Sequence, residues 1–280
     1  MNKNASELLF EDYLNSQGLN NYDYEPKIEG KGTRVDYRLW LEDSSLLFEV
    51  KEFQQPAAKK GMPSGFHNPY KPVHNKIEAA LRNLGPYQGY CCSIVLYNGE
   101  VPSVDLTKEF LLGGMLGPVS LLIPFDENGR INDREELTFS EGGYMIDHVE
   151  GNPRNTHISA MMVLDDFPIG SYNFDIQYQR RAKELGRRLT RKELFMFIEE
   201  QRAKGLDYGE TTLRVLICEN PYADIQLPRQ IFTGPFDERY GPEGDHILRV
   251  FAGEAIKGLE AKEVYPRRSP LSAIMKRNRH

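Results

Sequence analysis

Cysteine is scarce in this chain of 280 residues: there are three, Cys91, Cys92 and Cys218. Two are adjacent within an apolar run and none stands at zinc-ligand spacing, so a disulfide-built scaffold and a zinc module find no support. The three read as core thiols of a protein kept in a reducing cytoplasm. Long apolar runs are also missing, and nothing approaches the roughly 20 residues that a membrane helix needs. The N-terminal MNKNASELLFEDYL is acidic and amphipathic, unlike a signal peptide. There is no phosphate-binding glycine loop of the P-loop or dinucleotide kind, and no G-x-S-x-G elbow. Excess positive charge is absent too, since 35 Lys and Arg stand against 41 Asp and Glu. That balance does not advertise a nucleic-acid binder, but it is uneven. Residues 176–204 hold nine Lys/Arg against four Glu, and residues 264–280 hold five Lys/Arg and no acid. Local potential, not net charge, steers a polyanion, so these stretches are either phosphate-contacting surfaces or solvated faces.

The chain does contain a concentrated polar pattern on two expected strands, GTRVDYRLWL (32–41) and SLLFEVKEF (45–53). The break Glu42-Asp43-Ser44 reads as a hairpin turn. A turn centred on Asp43-Ser44 sets Asp36 opposite Lys51 and Arg38 opposite Glu49. Alternation along a strand then puts Asp36, Glu49 and Lys51 on one face. Val35, Tyr37, Leu39, Leu41, Leu46, Phe48 and Val50 take the other face as core. Two carboxylates and an amine converging in this way suit a hard divalent cation, which prefers oxygen ligands. The bland reading is a cross-strand ion pair between Asp36 and Lys51, worth at most about 1 kcal/mol.

Asp36, twelve intervening residues and then Glu49-Val50-Lys51 resemble the motif of the PD-(D/E)xK nuclease superfamily, with Val35 where the name has Pro. The flanking order adds to the resemblance. Residues 5–17 read as a helix ended by Gly18, with Glu7, Phe10 and Leu14 on one stripe. A helix with Ile77, Ala80, Leu81 and Leu84 follows Lys51, stopped by Gly85-Pro86, and YCCSIVLYN (90–98) reads as a strand. The resemblance implies an α/β, restriction-endonuclease-like core: a mixed central sheet flanked by helices, in the order α-β-β-β-α-β. It implies that Asp36 and Glu49 hold Mg²⁺, or Mn²⁺ as a substitute, with the Val50 carbonyl as a further ligand. Glu7 or Glu11 on the first helix would complete the shell, Glu7 fitting better. Asn4, three residues before Glu7, equally sets up a capping box. Lys51 would orient or deprotonate the attacking water, or stabilise charge at phosphorus. Lys59, Lys60, Lys71 and Lys76 are available for phosphates, and Arg82 stands where related nucleases often place a polar residue. His67 and His74 read as solvated loop residues. The expected function is Mg²⁺-dependent phosphodiester hydrolysis, as an endodeoxyribonuclease in bacterial DNA processing, restriction or phage defence. The alternative is a catalytically silent nucleic-acid-binding or scaffold protein on the same fold. The expected partner is nucleic acid, DNA before RNA, with no membrane and room for a homodimer.

Further along, a short helix is expected within 104–117, a strand at SLLIPF (120–125) and a turn at DENGRIN (126–132), where Asn128-Gly129 suits a hairpin better than a calcium loop. Strands follow at 157–167 and 211–220, with two helices between 174 and 204 and Thr190 capping the second. The expected organisation is a nuclease-like core and extension at 1–170, a helical insertion at 171–207, a continuation at 208–262 and a basic tail at 263–280.

Overall fold

The computed structural model describes residues 3–30, 32, 34–42, 44–54, 70–99, 104, 106–122, 136–139, 143–147, 151–207, 209–243, 246–256 and 265–266. His67, Lys59, Lys60, the expected turn at 126–132 and the basic tail other than 265–266 lie outside the described residues. The chain forms two compact units, Met1–Asp165 with Val215–His280, and Asp166–Arg214.

The first unit opens with α1 (Ala5–Ser16), whose start is fixed by a capping box: the Asn4 side chain accepts from the Glu7 N–H, and Glu7 accepts from the Asn4 N–H. Then come β1 (Tyr22–Tyr24), β2 (Tyr37–Trp40), β3 (Ser45–Glu52), α2 (Lys71–Leu84), β4 (Cys91–Tyr97), α3 (Lys108–Leu116), β5 (Val119–Leu122), β6 (Glu136–Phe139) and β7 (Ile158–Phe167). In the second unit lie α4 (Ile169–Leu185) and α5 (Arg191–Ala203). The chain then continues through β8 (Thr212–Glu219), β9 (Glu238–Glu243), β10 (His246–Ala252) and β11 (Tyr265–Pro266). Among the described residues, nine strands form one sheet in the order β1-β2-β3-β4-β7-β8-β9-β10-β11. Pairing is antiparallel from β1 to β3, parallel across β3, β4 and β7, parallel from β8 to β9, and antiparallel from β9 to β11. The architecture is mixed α/β. A separate antiparallel pair, β5 with β6, flanks the segment in which the hairpin turn was expected.

The β2–β3 hairpin departs from its expected register. Tyr37 pairs with Phe48, Arg38 with Leu47 and Leu39 with Leu46, while the Leu41 N–H reaches the Ser44 carbonyl at 2.8 Å. The turn closes one residue earlier than expected, so every partner moves by two. A two-residue shift preserves side-chain parity, which is why the face assignment of Asp36, Glu49 and Lys51 survives it. Arg38 loses its expected place opposite Glu49 and stacks instead over the Trp40 ring, 3.5 Å from its centroid.

The site face is also less open than the sequence suggests. From Leu46 to Val50 every residue of β3 is buried. Phe48 lies on the α1 side, 5.3 Å from Phe10 between ring centroids and 5.8 Å from Phe232. Leu47 joins Cys92, Ile94 and Leu96 of β4 in a core closed by Val73, Ile77, Ala80 and Leu84 of α2 and by Leu111, Leu112 and Met115 of α3. Val35, ahead of the start of β2, belongs to this second cluster and not to the α1 side. A strand of a parallel sheet covered on both faces reads as a continuous apolar run, and β3 and β4 do so. Each large aliphatic side chain fully buried here contributes about 1.5–3 kcal/mol. The charged groups of β3 therefore sit at the end of a buried strand, under a helix. Cys91, Cys92 and Cys218 are free and buried, as expected of core thiols.

In the second unit, α4 starts at Ile169, right after Pro168 and five residues ahead of the expected helix. It ends on Gly186, whose left-handed conformation (φ 64°) suits a residue without a Cβ. Thr190 caps α5 in a second capping box with Glu193. Phe197 of α5 meets Phe174 and Tyr178 of α4 at 5.5 and 6.5 Å, so the chain doubles back on itself. Among the described residues, no helix is long and apolar enough to cross a membrane.

Candidate active site

Three elements bring the charged residues together. Asp36 precedes β2, Glu49 and Lys51 alternate along β3, and α2 closes over them. The Asp36 Oδ2 accepts the Val50 N–H at 2.7 Å, which ties the residue before β2 to the C-terminal part of β3. Lys51 Nζ bonds Glu49 Oε1 directly and stands 3.9 Å from Asp36 Oδ2. The expected convergence of these three residues is therefore present.

Burial sets the electrostatics. Glu49 is fully buried, while the Asp36 and Lys51 side chains are each about one-fifth exposed. The Asp36 carboxyl is pushed up to about 7, first by burial and then by the negative charge of Glu49, with Glu7 adding to the rise. Lys51 and the Val50 N–H act the other way and do not prevail. Glu49 Oε1 also accepts from Asn83 Nδ2 at 2.5 Å. Its second oxygen, Oε2, is buried and has no hydrogen-bond partner among the described residues. A buried carboxylate oxygen without a donor is costly, on the order of 1–3 kcal/mol or more for a charged group. Such an exception asks for a reason.

Asn83 was missed in the sequence. Beside Lys71 and Lys76, the residue expected from α2 was Arg82, which is exposed. A signal existed: Asn83 follows Ala80 by three positions and precedes Leu84 by one, so it borders the buried stripe of Val73, Ile77, Ala80 and Leu84. Lys76 lies on the same side. Its amine is 5.6 Å from the Phe53 ring centroid, and burial followed by the positive charge of Lys51 lowers its pKa, with Glu52 opposing. Lys71, at the start of α2, is exposed. His74 is in α2 and not in a loop, half-buried between Tyr70 and Tyr144 at 6.2 and 5.3 Å.

Glu7 plays the capping role in full. Its Oε2 accepts from the Asn4 N–H at 2.8 Å and from the Tyr24 hydroxyl at 3.2 Å. Its charge still reaches Asp36. Glu11 instead pairs with Lys3 and acts on Tyr37. Of Glu7 and Glu11, Glu7 is the one whose charge acts on Asp36.

Among the described residues, no group of three His, Cys, Asp or Glu side chains is gathered closely enough to hold a metal ion. The reason is visible in the geometry. The Lys51 ammonium bonds Glu49 and stands 3.9 Å from Asp36 Oδ2, so it supplies positive charge to both carboxylates. The donor set nonetheless suits a hard cation: Glu49 Oε2 is a buried carboxylate oxygen with no partner among the described residues, and Asp36 is held up first by burial and then by repulsion from Glu49, which a cation would offset. No family model, curated protein or solved structure matches this chain.

Proposed function

We propose that this protein is a Mg²⁺-dependent phosphodiester hydrolase acting on nucleic acid, DNA in the first instance, on a restriction-endonuclease-like core. The observation that carries the reading is the orphaned Glu49 Oε2 beside Asp36 and Lys51 at the end of β3. Support comes also from the order of α1, three antiparallel strands, α2 and the parallel strand β4, which is the order that the PD-(D/E)xK resemblance implies.

Asp36 and Glu49 would hold the ion, with the Val50 carbonyl and Glu7 as further oxygen donors. The bound ion would supply neutralisation of phosphate charge and Lewis-acid activation of water. The remaining work falls to the chain itself. Hydrolysis adds a water oxygen to phosphorus and breaks the bond to the leaving sugar oxygen, so negative charge builds on the phosphoryl oxygens. Lys51, anchored on Glu49 and directed toward Asp36, presents a fixed ammonium to that charge. Asn83 holds the Glu49 carboxylate in one orientation from α2. The second amine, on Lys76, adds positive potential on the α2 side of the site.

A second reading, a catalytically silent nucleic-acid-binding protein, draws on the direct Lys51–Glu49 ion pair, which is satisfied without a substrate. Metal binding separates the two. Calorimetry with Mg²⁺ and Mn²⁺ should show binding that Asp36→Ala and Glu49→Ala both lose. Equal binding by these variants and the parent protein places any metal elsewhere and removes the basis of the hydrolase reading.

A further inference from the structure

The helical hairpin of the second unit separates its charges. Residues 180–192, the end of α4, the connection and the start of α5, hold seven Lys/Arg and one acid, Glu184. The rest of Asp166–Arg214 holds three Lys/Arg and seven acids. The turn is thus strongly positive and the remainder negative.

The local acids are already used. Arg181 pairs with Glu184 at 3.3 Å, and Arg187 grips Glu193 through two bonds of 2.8 and 2.9 Å. Five cations remain: Arg180, Lys183, Arg188, Arg191 and Lys192. All five are exposed, and none makes an ion pair among the described residues. Arg191 makes one further contact, 5.7 Å from the Phe195 ring centroid on its own helix. None of the five helps to hold the hairpin together. That role belongs to Phe174, Tyr178 and Phe197, to the Thr190 cap and to the Arg187–Glu193 pair. A like-charged cluster set on a rigid turn and detached from packing repels itself unless a polyanion lies against it.

We propose that the turn between α4 and α5 is a nucleic-acid backbone-binding surface, with Arg180, Lys183, Arg188, Arg191 and Lys192 contacting phosphates. Guanidinium groups match phosphate oxygens two at a time, and three of the five are arginines. The contacts position a strand and do not read its sequence. A membrane surface fits less well. Amphipathic membrane helices set apolar side chains against a basic face. Here the exposed Phe195, Met196 and Ile176 lie beyond the cationic segment, and Leu185 alone lies within it. The proposal rests on the reading that nucleic acid is the partner, and not on cleavage.

The test is fluorescence anisotropy with labelled duplex and single-stranded DNA, in EDTA so that nothing is cut, across a salt series. The protein is compared with a variant carrying R180Q, K183Q, R188Q, R191Q and K192Q. Circular dichroism of both must show the same helix content, which the exposure of all five leads us to expect. The variant should bind more weakly by at least tenfold at low salt. The slope of log affinity against log salt should flatten, by up to about 4.5 if all five contacts are lost. Unchanged affinity and slope overturn the proposal. So does binding to phosphatidylserine vesicles that the variant loses while its DNA affinity stays the same. Parallel assays in Mg²⁺ keep the two readings apart. Cleavage by the parent protein with no effect of the five changes leaves the hydrolase reading standing and this one fallen. DNA binding that depends on the five residues, with no cleavage under any metal, does the reverse.

Discussion

Burial and the charge of Glu49 hold the Asp36 carboxyl at about 7, and this fixes the direction of a stability effect. Below the unfolded value near 3.8 both folded and unfolded forms carry the proton. Between there and about 7 the unfolded chain loses it while the native protein keeps it, so Asp36 subtracts stability as pH rises. Above about 7 the loss is complete. In metal-free protein, Asp36→Asn should therefore melt above the parent at pH 8, with the two curves meeting near pH 4. A variant less stable at pH 8 contradicts this electrostatic account. Asn83 gives a second check. Asn83→Ala removes one of the two donors that the described residues give to a fully buried Glu49 and should lower stability by about 1–3 kcal/mol in denaturant melts. Any cleavage activity should fall in turnover more than in substrate affinity, because Asn83 acts by orienting Glu49. Loss of stability with full turnover assigns Asn83 to packing alone. The site was partly legible at this scale. Asp36, Glu49 and Lys51 share a face because parity is robust to a shift of two. Arg82 was expected in the place of Asn83 because related nucleases often place a polar residue there, whereas the stripe that borders Asn83 depends on which side α2 turns to β3.

Helices were more legible than strands. Asn4 and Thr190 each stand three residues before a glutamate, and both form the capping box that this spacing implies. Thr190→Ala should cost about 1 kcal/mol, felt as faster hydrogen exchange in α5 with little change in the sheet. Equal protection in α5 dismisses the cap. The N-terminal end of α4 was less clear, since Gly170 and Ser171 weaken helix propensity just where Pro168 starts the helix. The hairpin turn was placed one residue late because Glu42, Asp43 and Ser44 are all acceptable turn residues. β9 carries Gly241-Pro242, a pair commoner in turns than in strands. It becomes a strand through pairing with β8 and β10, a long-range effect that local sequence does not encode.

For the molecule as a whole, the mixed α/β layering places a charged cluster at the end of a strand that is otherwise buried on both faces. An ion pair used only for stability has little reason to sit there, because burying charge is costly and an apolar pair of similar volume packs as well. The central claim is that Lys51 acts in chemistry with Asp36 and Glu49. The direct measurement is cleavage of plasmid, linear duplex, single-stranded DNA and RNA in Mg²⁺ and Mn²⁺ by the parent protein and by Lys51→Ala, with melting temperature and DNA affinity recorded in parallel. Cleavage by the parent and a loss of turnover of at least about a hundredfold in Lys51→Ala are expected, while fold and affinity persist. Cleavage that survives in Lys51→Ala, or a parent protein that binds metal at Asp36 and Glu49 yet cuts none of the four substrates, would contradict that claim.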